Sequence, residues 1–310
     1  MRTIRLIENG KPPLVVAAQA AEPQPGPGEL LIRVRAAGFM PAELSWYPTT
    51  HLKTGGIRKC AVPGHEFSGV VARVGKDVGS LAVGHEVFGM NDWYSDGAMA
   101  DYCIAPFFAV AAKPGTITHI EAASVPIGAL TAWQGLFDHA RLRPGERVLI
   151  HGGAGAVGLF AVQLARLHGA RVMATASAAD CEFVSSLGAE RVIDYEKSRF
   201  EDFAREVDVV FDTVGGETLE RSWPLLSGRG RMVTIVSTEA ESPDPKVQQA
   251  FFIVEPNQKQ LVEISRLIDG GQLRVVVGGV IPLSQAPEAY AGAMRKEGRG
   301  RLVIAVGSLN

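Results

Sequence analysis

The sequence predicts a two-domain α/β chain, a β-rich domain beside a domain built on a doubly wound parallel sheet. Three observations predict it. Short β-branched and aliphatic segments in the first third are broken by Pro and Gly, most densely at Pro23-Gln24-Pro25-Gly26-Pro27-Gly28. From about residue 118 strand-like and helix-like segments alternate, as in a parallel sheet with crossover helices. Between one such strand and helix lies a run of glycines.

Taken in order, Thr3–Ile7, Leu14–Ala17, Leu30–Arg35 and Phe67–Val74 read as short strands of a small, partly closed β-structure. Arg147–His151 is a compact apolar strand introduced by Pro144-Gly145, and the helix after it places Val157, Phe160, Ala161 and Leu164 on one face. Arg171–Thr175, Arg191–Asp194, Val207–Asp212 and Arg231–Val236 are further strands. Helices are expected at Asp180–Leu187, stopped by Gly188, and around Glu217–Leu226. Beyond about residue 257 come a helix at Gln260–Asp269, a strand at Val275–Val280, a helix near Pro287–Arg295 and a closing strand at Leu302–Val306. No repeat or low-complexity tract interrupts the pattern.

Composition narrows the function classes. Of 310 residues, 46% are hydrophobic and 21% charged, which excludes global disorder. The 31 Lys and Arg against 33 Asp and Glu leave a formal charge of −2, with no footprint for nucleic acid or an anionic membrane. Three cysteines, Cys60, Cys103 and Cys181, cannot build a disulfide framework or a four-cysteine zinc lobe. The longest uncharged run, Val148–Ala165, holds four glycines and is no membrane span. The start lacks the apolar stretch of a signal peptide, so a cytoplasmic protein is expected.

The glycines carry the chemistry. Gly153-x-Gly155-x-x-Gly158 lies between an expected strand and an expected helix, the context a dinucleotide-binding loop requires. Gly153 is assigned the tight turn, Gly155 the close approach to a pyrophosphate, and Gly158 the packing of helix on strand. Ala156 and Val157 complete the loop at the helix N-terminus, where unpaired amides favour phosphate. An acid at the end of the second strand would mark NADH. That strand ends Met173-Ala174-Thr175-Ala176-Ser177, and Asp180 fits a capping box with Ser177 as N-cap. With hydroxyls at Thr175, Ser177 and Tyr195 and no acid, NADPH is expected ahead of NADH, although Val172–Glu190 lacks a Lys or Arg for the 2′-phosphate.

Several stretches then match a known family. Pro63-Gly64-His65-Glu66-Phe67-Ser68-Gly69-Val70-Val71, Ala129-Leu130-Thr131-Ala132-Trp133, Leu187-Gly188-Ala189-Glu190-Arg191-Val192-Ile193-Asp194-Tyr195, Phe211-Asp212-Thr213-Val214-Gly215-Gly216 and Gly300-Arg301-Leu302-Val303 span nearly the whole chain. With these the chain resembles the zinc-independent quinone oxidoreductases of the medium-chain dehydrogenase/reductase superfamily. The resemblance implies a GroES-like β-barrel domain from both chain ends (1–117 and 257–310) and an inserted Rossmann domain (118–256), with cofactor and substrate in the cleft between them. It implies a homodimer, for which the apolar run Phe251-Phe252-Ile253-Val254 could extend a sheet between copies or else form a buried strand.

The same resemblance locates the residues to test for a metal. Zinc-dependent cousins use a cysteine, the histidine of Gly-His-Glu and a third ligand; here Met40 and Ile127 stand at the first and last of these positions. His65 and Glu66 remain, and adding Cys60 would give only an irregular set, so no zinc is expected. A second Gly-His-Glu at Gly84-His85-Glu86 shows that the tripeptide alone is not diagnostic, and both histidines are read as structural. Without a Lewis acid, a quinone or α,β-unsaturated carbonyl is the fitting hydride acceptor, because charge develops on an oxygen that a donor can stabilise. Tyr47 and Asn91 are the candidate donors. The resemblance further implies that Thr131, at an expected helix start, abuts the nicotinamide and that Met40, Trp46 and Trp93 line the acceptor pocket. Ser237, Phe252 and Val254 are placed at the nicotinamide end, and Arg301 joins the cofactor-binding set. The alternatives are a pathway-specific enoyl or alkenal reductase, a weakly catalytic NADPH-binding sensor or structural protein, and, least supported, a zinc alcohol dehydrogenase.

Overall fold

The computed structural model describes residues 1–8, 14–236, 242–293 and 299–307. In chain order its strands are β1 (Arg2–Glu8), β2 (Leu14–Gln19), β3 (Glu29–Gly38), β4 (Glu66–Val74), β5 (Glu86–Met90), β6 (Tyr102–Pro106) and β7 (Val110–Ala112). They continue with β8 (Arg147–Ile150), β9 (Arg171–Ala176), β10 (Arg191–Asp194), β11 (Val207–Asp212), β12 (Leu226–Thr234), β13 (Val277–Pro282) and β14 (Arg301–Ala305). The helices are α1 (Tyr47–Thr50), α2 (His119–Ala122), α3 (Pro126–Trp133), α4 (Gly158–Leu167), α5 (Cys181–Ser186), α6 (Glu217–Ser222), α7 (Pro245–Ala250), α8 (Gln258–Asp269) and α9 (Ala286–Tyr290). Met1–Pro126, Pro256–Gly270 and Val275–Asn310 form one compact unit; Ile127–Glu255 and Gly271–Arg274 form the other.

The first unit is a sheet in the order β13-β14-β3-β4-β5-β7, with β6 also on β3 and a separate β1-β2 pair. Its pairs are antiparallel apart from β13–β14. Leu30, Ile32 and Val34 of β3 share one buried cluster with Phe67, Val71, Val87 and Ile304, the period-two burial that a strand imposes. Strands β5, β6 and β7 were not legible in the sequence; β7 has only three residues, too few to show alternation. Past residue 117, α2 still belongs to this unit. Its Thr118 and Glu121 form a capping box, and His119 Nδ1 shares a 2.7 Å hydrogen bond with Ser68 Oγ on β4.

The second unit is a parallel sheet in the order β10-β9-β8-β11-β12, the reversal of direction at β8 being the doubly wound pattern. Leu149, Ile193, Val207, Val210 and Leu219 fill its core. The helix expected over Glu217–Leu226 ends at Ser222 and tightens into a 3₁₀ turn, Trp223–Leu225. Pro224 lacks the N–H that would continue it, and β12 starts at Leu226, earlier than expected. Helix α3 runs on as a π-helical stretch, Gln134–His139, in which a side chain on Gly135 would strike the Phe211 ring. The expected helix over Pro287–Arg295 ends at Tyr290, and residues 294–298 lie outside the described set. Phe251–Val254 forms no strand; it touches β12 through one parallel bridge, Thr234–Phe251.

His151 directly follows the central strand β8 and is fully buried. Its Nε2 lies 2.8 Å from Ser222 Oγ, whose own proton goes to the Thr218 carbonyl at 2.6 Å. Its Nδ1 lies 3.3 Å from Thr175 Oγ1, which accepts from Gly152 N–H at 3.1 Å. Those partners fix a neutral ring protonated on Nε2. Burial, with the Arg221 charge adding to it, pushes the pKa down from 6.5 to about 4. The unfolded chain takes up this proton near 6.5 and the folded one only near 4, so stability is full above that window and is lost as pH falls through it. The loss amounts to roughly 3 kcal/mol at full extent. Urea unfolding at pH 7 and pH 5 checks this: His151→Asn should lose less stability on acidification than the parent, and an equal loss would remove His151 from the account.

Candidate active site

The glycine loop hangs from one strand residue. Gly152 N–H donates to Thr175 Oγ1, and Gly153 N–H donates to the Thr175 carbonyl at 2.9 Å. The left-handed turn falls on Gly152, φ +71°, and not on Gly153 as expected. Gly153 is needed for space instead, since a Cβ there would press on Ala174 and Val184 at 3.0 Å. Gly155 N–H closes a turn onto the Gly152 carbonyl at 2.9 Å, and a Cβ on Gly158 would run into that same carbonyl. Ala156 and Val157 lead directly into α4, ten residues long, whose N-terminal amides and dipole suit a pyrophosphate.

At the end of β9 the side chains differ from expectation. Thr175 is buried and its hydroxyl is committed to the loop, so it serves as a latch and not as a phosphate ligand. Ser177 does cap a short 3₁₀ turn, Ala178–Asp180, but the capping box does not form. Its hydroxyl donates to Asp180 Oδ2 at 2.9 Å instead of accepting from the backbone. Tyr195 stands at the end of the neighbouring strand, 57% exposed, its N–H on the Ala176 carbonyl at 3.2 Å. Ser237 lies outside the described residues. Phe252 is buried with its ring stacked on His139 at 4.3 Å, and Val254 is buried beside it. Thr131 sits inside α3, not at its start; its hydroxyl donates to the Ile127 carbonyl at 2.6 Å, a bond within the helix that makes it no cap.

In the other unit the residues around Gly-His-Glu form a closed polar network. Glu43, buried, accepts from Gly64 N–H on both oxygens at 3.0 and 3.1 Å, from Tyr290 O–H at 2.7 Å, and lies 2.8 Å from His65 Nδ1. His65 Nε2 faces the Trp93 carbonyl at 3.1 Å, so that nitrogen carries a proton. Burial, with Glu43 beside it, holds the Tyr290 phenol well above its ordinary pKa. Arg301, expected to bind cofactor, is buried within this unit and pairs with Glu66 at 2.6 Å. The partnership of Glu43 with Tyr290 was not foreseen; 247 residues separate the two, and no local pattern links them.

The expected acceptor wall is one connected surface of this unit. Trp46 and Trp93, both half-buried, meet edge to face at 5.2 Å, and Trp93 also lies against His65 at 5.1 Å. Tyr47, 54% exposed, stacks on His51 at 4.2 Å. Met40 caps the turn Pro41–Ser45 that leads into them. Lys53 pairs with Asp92 at 3.2 Å and Arg58 with Asp96 at 2.7 Å, fastening the two segments together. Asn91, expected as a donor to substrate, is fully buried and gives its amide proton to the Asp96 carbonyl at 2.9 Å. It shapes the wall and does not face an acceptor.

Residues 26–115 match the alcohol dehydrogenase GroES-like domain and residues 187–304 the zinc-binding dehydrogenase family. The chain is 30% identical to the mitochondrial NAD(P)H oxidoreductase RTN4IP1 of Mus musculus, over 90% of this chain and 82% of that protein. It is 32% identical to the 2-methylene-furan-3-one reductase of Solanum lycopersicum, over 94% of this chain and 75% of the relative. The quinone oxidoreductase of Coxiella burnetii superposes with a TM-score of 0.86 at 29% identity, covering 99% of both chains. A parallel sheet reversing at β8 with a glycine loop leading into α4, a separate β-rich unit and these end-to-end likenesses agree: the chain belongs to the medium-chain dehydrogenase/reductase superfamily, as an NAD(P)H oxidoreductase with a GroES-like and a Rossmann domain.

Proposed function

We propose that the chain transfers hydride from a reduced nicotinamide to a quinone or another α,β-unsaturated carbonyl, without a metal. The observation that carries this reading is the engagement of His65 on both ring nitrogens, by Glu43 and by the Trp93 carbonyl. The zinc that the family's name implies takes three protein ligands in a catalytic site. Met40 offers only a thioether, Ile127 cannot ligate, and Glu66 is held by Arg301. These donors do not fit zinc. Conjugated carbonyls do not require it, because the acceptor's own π-system carries the developing charge to an oxygen.

A bound nicotinamide supplies the hydride. The chain's residues hold the dinucleotide at the glycine loop and receive the acceptor against Trp46 and Trp93, with Met40 at the turn before them. Tyr47 donates to the carbonyl oxygen; its half-exposed phenol is kept in place by stacking on His51. The names of two relatives, a quinone oxidoreductase and a furanone reductase, both describe conjugated carbonyl chemistry and support this substrate class. A homodimer belongs to the same proposal: Ile253 is 60% exposed beside the outer strand β12.

Loss of the reduced-nicotinamide absorbance, followed with benzoquinones, phenanthrenequinone, alkenals and methyl vinyl ketone, tests the reading. Turnover should persist unchanged in a chelator, and its abolition would restore a zinc mechanism. A nucleotide that binds without any acceptor turning over would favour a sensor. For Tyr47→Phe we expect kcat to fall about 10²-fold, with little change in KM; an unchanged kcat removes Tyr47 as donor. Sedimentation of Ile253→Asp should show a shift from dimer to monomer, whereas a monomeric parent would end the dimer proposal.

A further inference from the structure

We propose that this chain selects NADH over NADPH, with Asp180 and Glu196 at the carboxyl end of β9 favouring free ribose hydroxyls and opposing a 2′-phosphate. The inference rests on the reading above only in requiring a bound dinucleotide. In a sheet of this order the end of the second strand meets the adenosine ribose, where a carboxylate suits a 2′-hydroxyl and a cation suits a 2′-phosphate. The strand itself ends on Ala176 without an acid, which is why the sequence favoured NADPH. The fold returns acids to that place. Ser177 Oγ, donating at 2.9 Å, draws the Asp180 carboxylate back against the strand end. Ala178 N–H holds Glu196 Oε2 at 3.3 Å, and Asp194 lies opposite Ala176 in the parallel β9–β10 register.

Cations are short by comparison. Lys197 is the one the described residues place there, and it pairs with Asp194 at 3.2 Å. The hydroxyl of Ser177 is already given to Asp180, so it is not a donor in waiting for a phosphate. Cys181, the first residue of α5 directly after the Ala178–Asp180 turn, registers the same field. Its thiol is raised first by burial and next by Asp194, with Asp180 and Glu196 adding and Lys197 opposing. A phosphate monoester bears a charge of about −1.5 to −2 near neutral pH, and here it would approach Asp180, Asp194 and Glu196 together.

The test is binding, not turnover. Fluorescence titration of the full chain with NADH and, separately, NADPH should give at least tenfold tighter binding of NADH. The double variant Asp180→Asn/Glu196→Gln should narrow that ratio at least fivefold by tightening NADPH, and the single variants by less, with unfolding temperatures confirming that each is folded. NADPH binding as tightly as NADH in the parent, or a ratio unmoved in the folded variants, overturns the inference. If neither nucleotide binds, the inference and the reductase reading fall together. If NADH binds preferentially and no acceptor turns over, the inference stands and the reductase reading falls.

Discussion

The nucleotide-binding half of this protein depends on Thr175. Three bonds converge on it: the Gly152 amide on its hydroxyl, the Gly153 amide on its carbonyl, and its own proton directed at His151 Nδ1. A β-branched residue is at ease in β9, and its hydroxyl reaches the neighbouring central strand where that strand breaks into the loop. Each of these groups is buried or nearly so, and leaving one unpaired costs about 1–3 kcal/mol. The loop therefore has one low-energy position, and from it follow the close seat of Gly158 on the Gly152 carbonyl and the direction in which α4 points its amides.

The β-rich half is organised by buried charge. Glu43 gathers His65, Tyr290 and the Gly64 amide, while Glu66 of β4 and Arg301 of β14, the strands on either side of β3, form a second buried pair. A buried carboxylate with three partners is tolerated where a lone one is not. The consequence is chemical as much as structural. Side chains that could ligate a metal are spent on one another, and this is what supports the proposed metal-free transfer.

The fold was largely legible in the sequence, because long-range order here is written in local signals. Alternating strands and helices, the Pro144-Gly145 turn and the glycine loop set out the parallel sheet, and β10 and β11 have the bounds the sequence predicts. What could not be read depends on contacts distant in the chain. Thr131 and Asn91 have the right chemistry for substrate, yet Ile127 and Asp96 claim them first. Asp180 was read as the far end of a capping box, and the bond it accepts from the Ser177 hydroxyl is one that the capping pattern does not foretell. The left-handed turn fell on Gly152, one residue from the motif glycine, since the motif counts glycines and does not say which must bend.

The wall formed by Trp46 and Trp93 is clamped from outside. Lys53 and Arg58 on one segment reach Asp92 and Asp96 on the other, and Lys53 also lies over the Tyr94 ring at 5.4 Å. The Lys53–Asp92 pair faces solvent, where dissolved ions weaken it within a Debye length of about 8 Å at physiological salt. Arg58 is the firmer of the two, its side chain only 8% exposed. The aromatic pair thus rests between one firm fastening and one that loosens with ionic strength, so the stiffness of this surface is set partly by the medium around it.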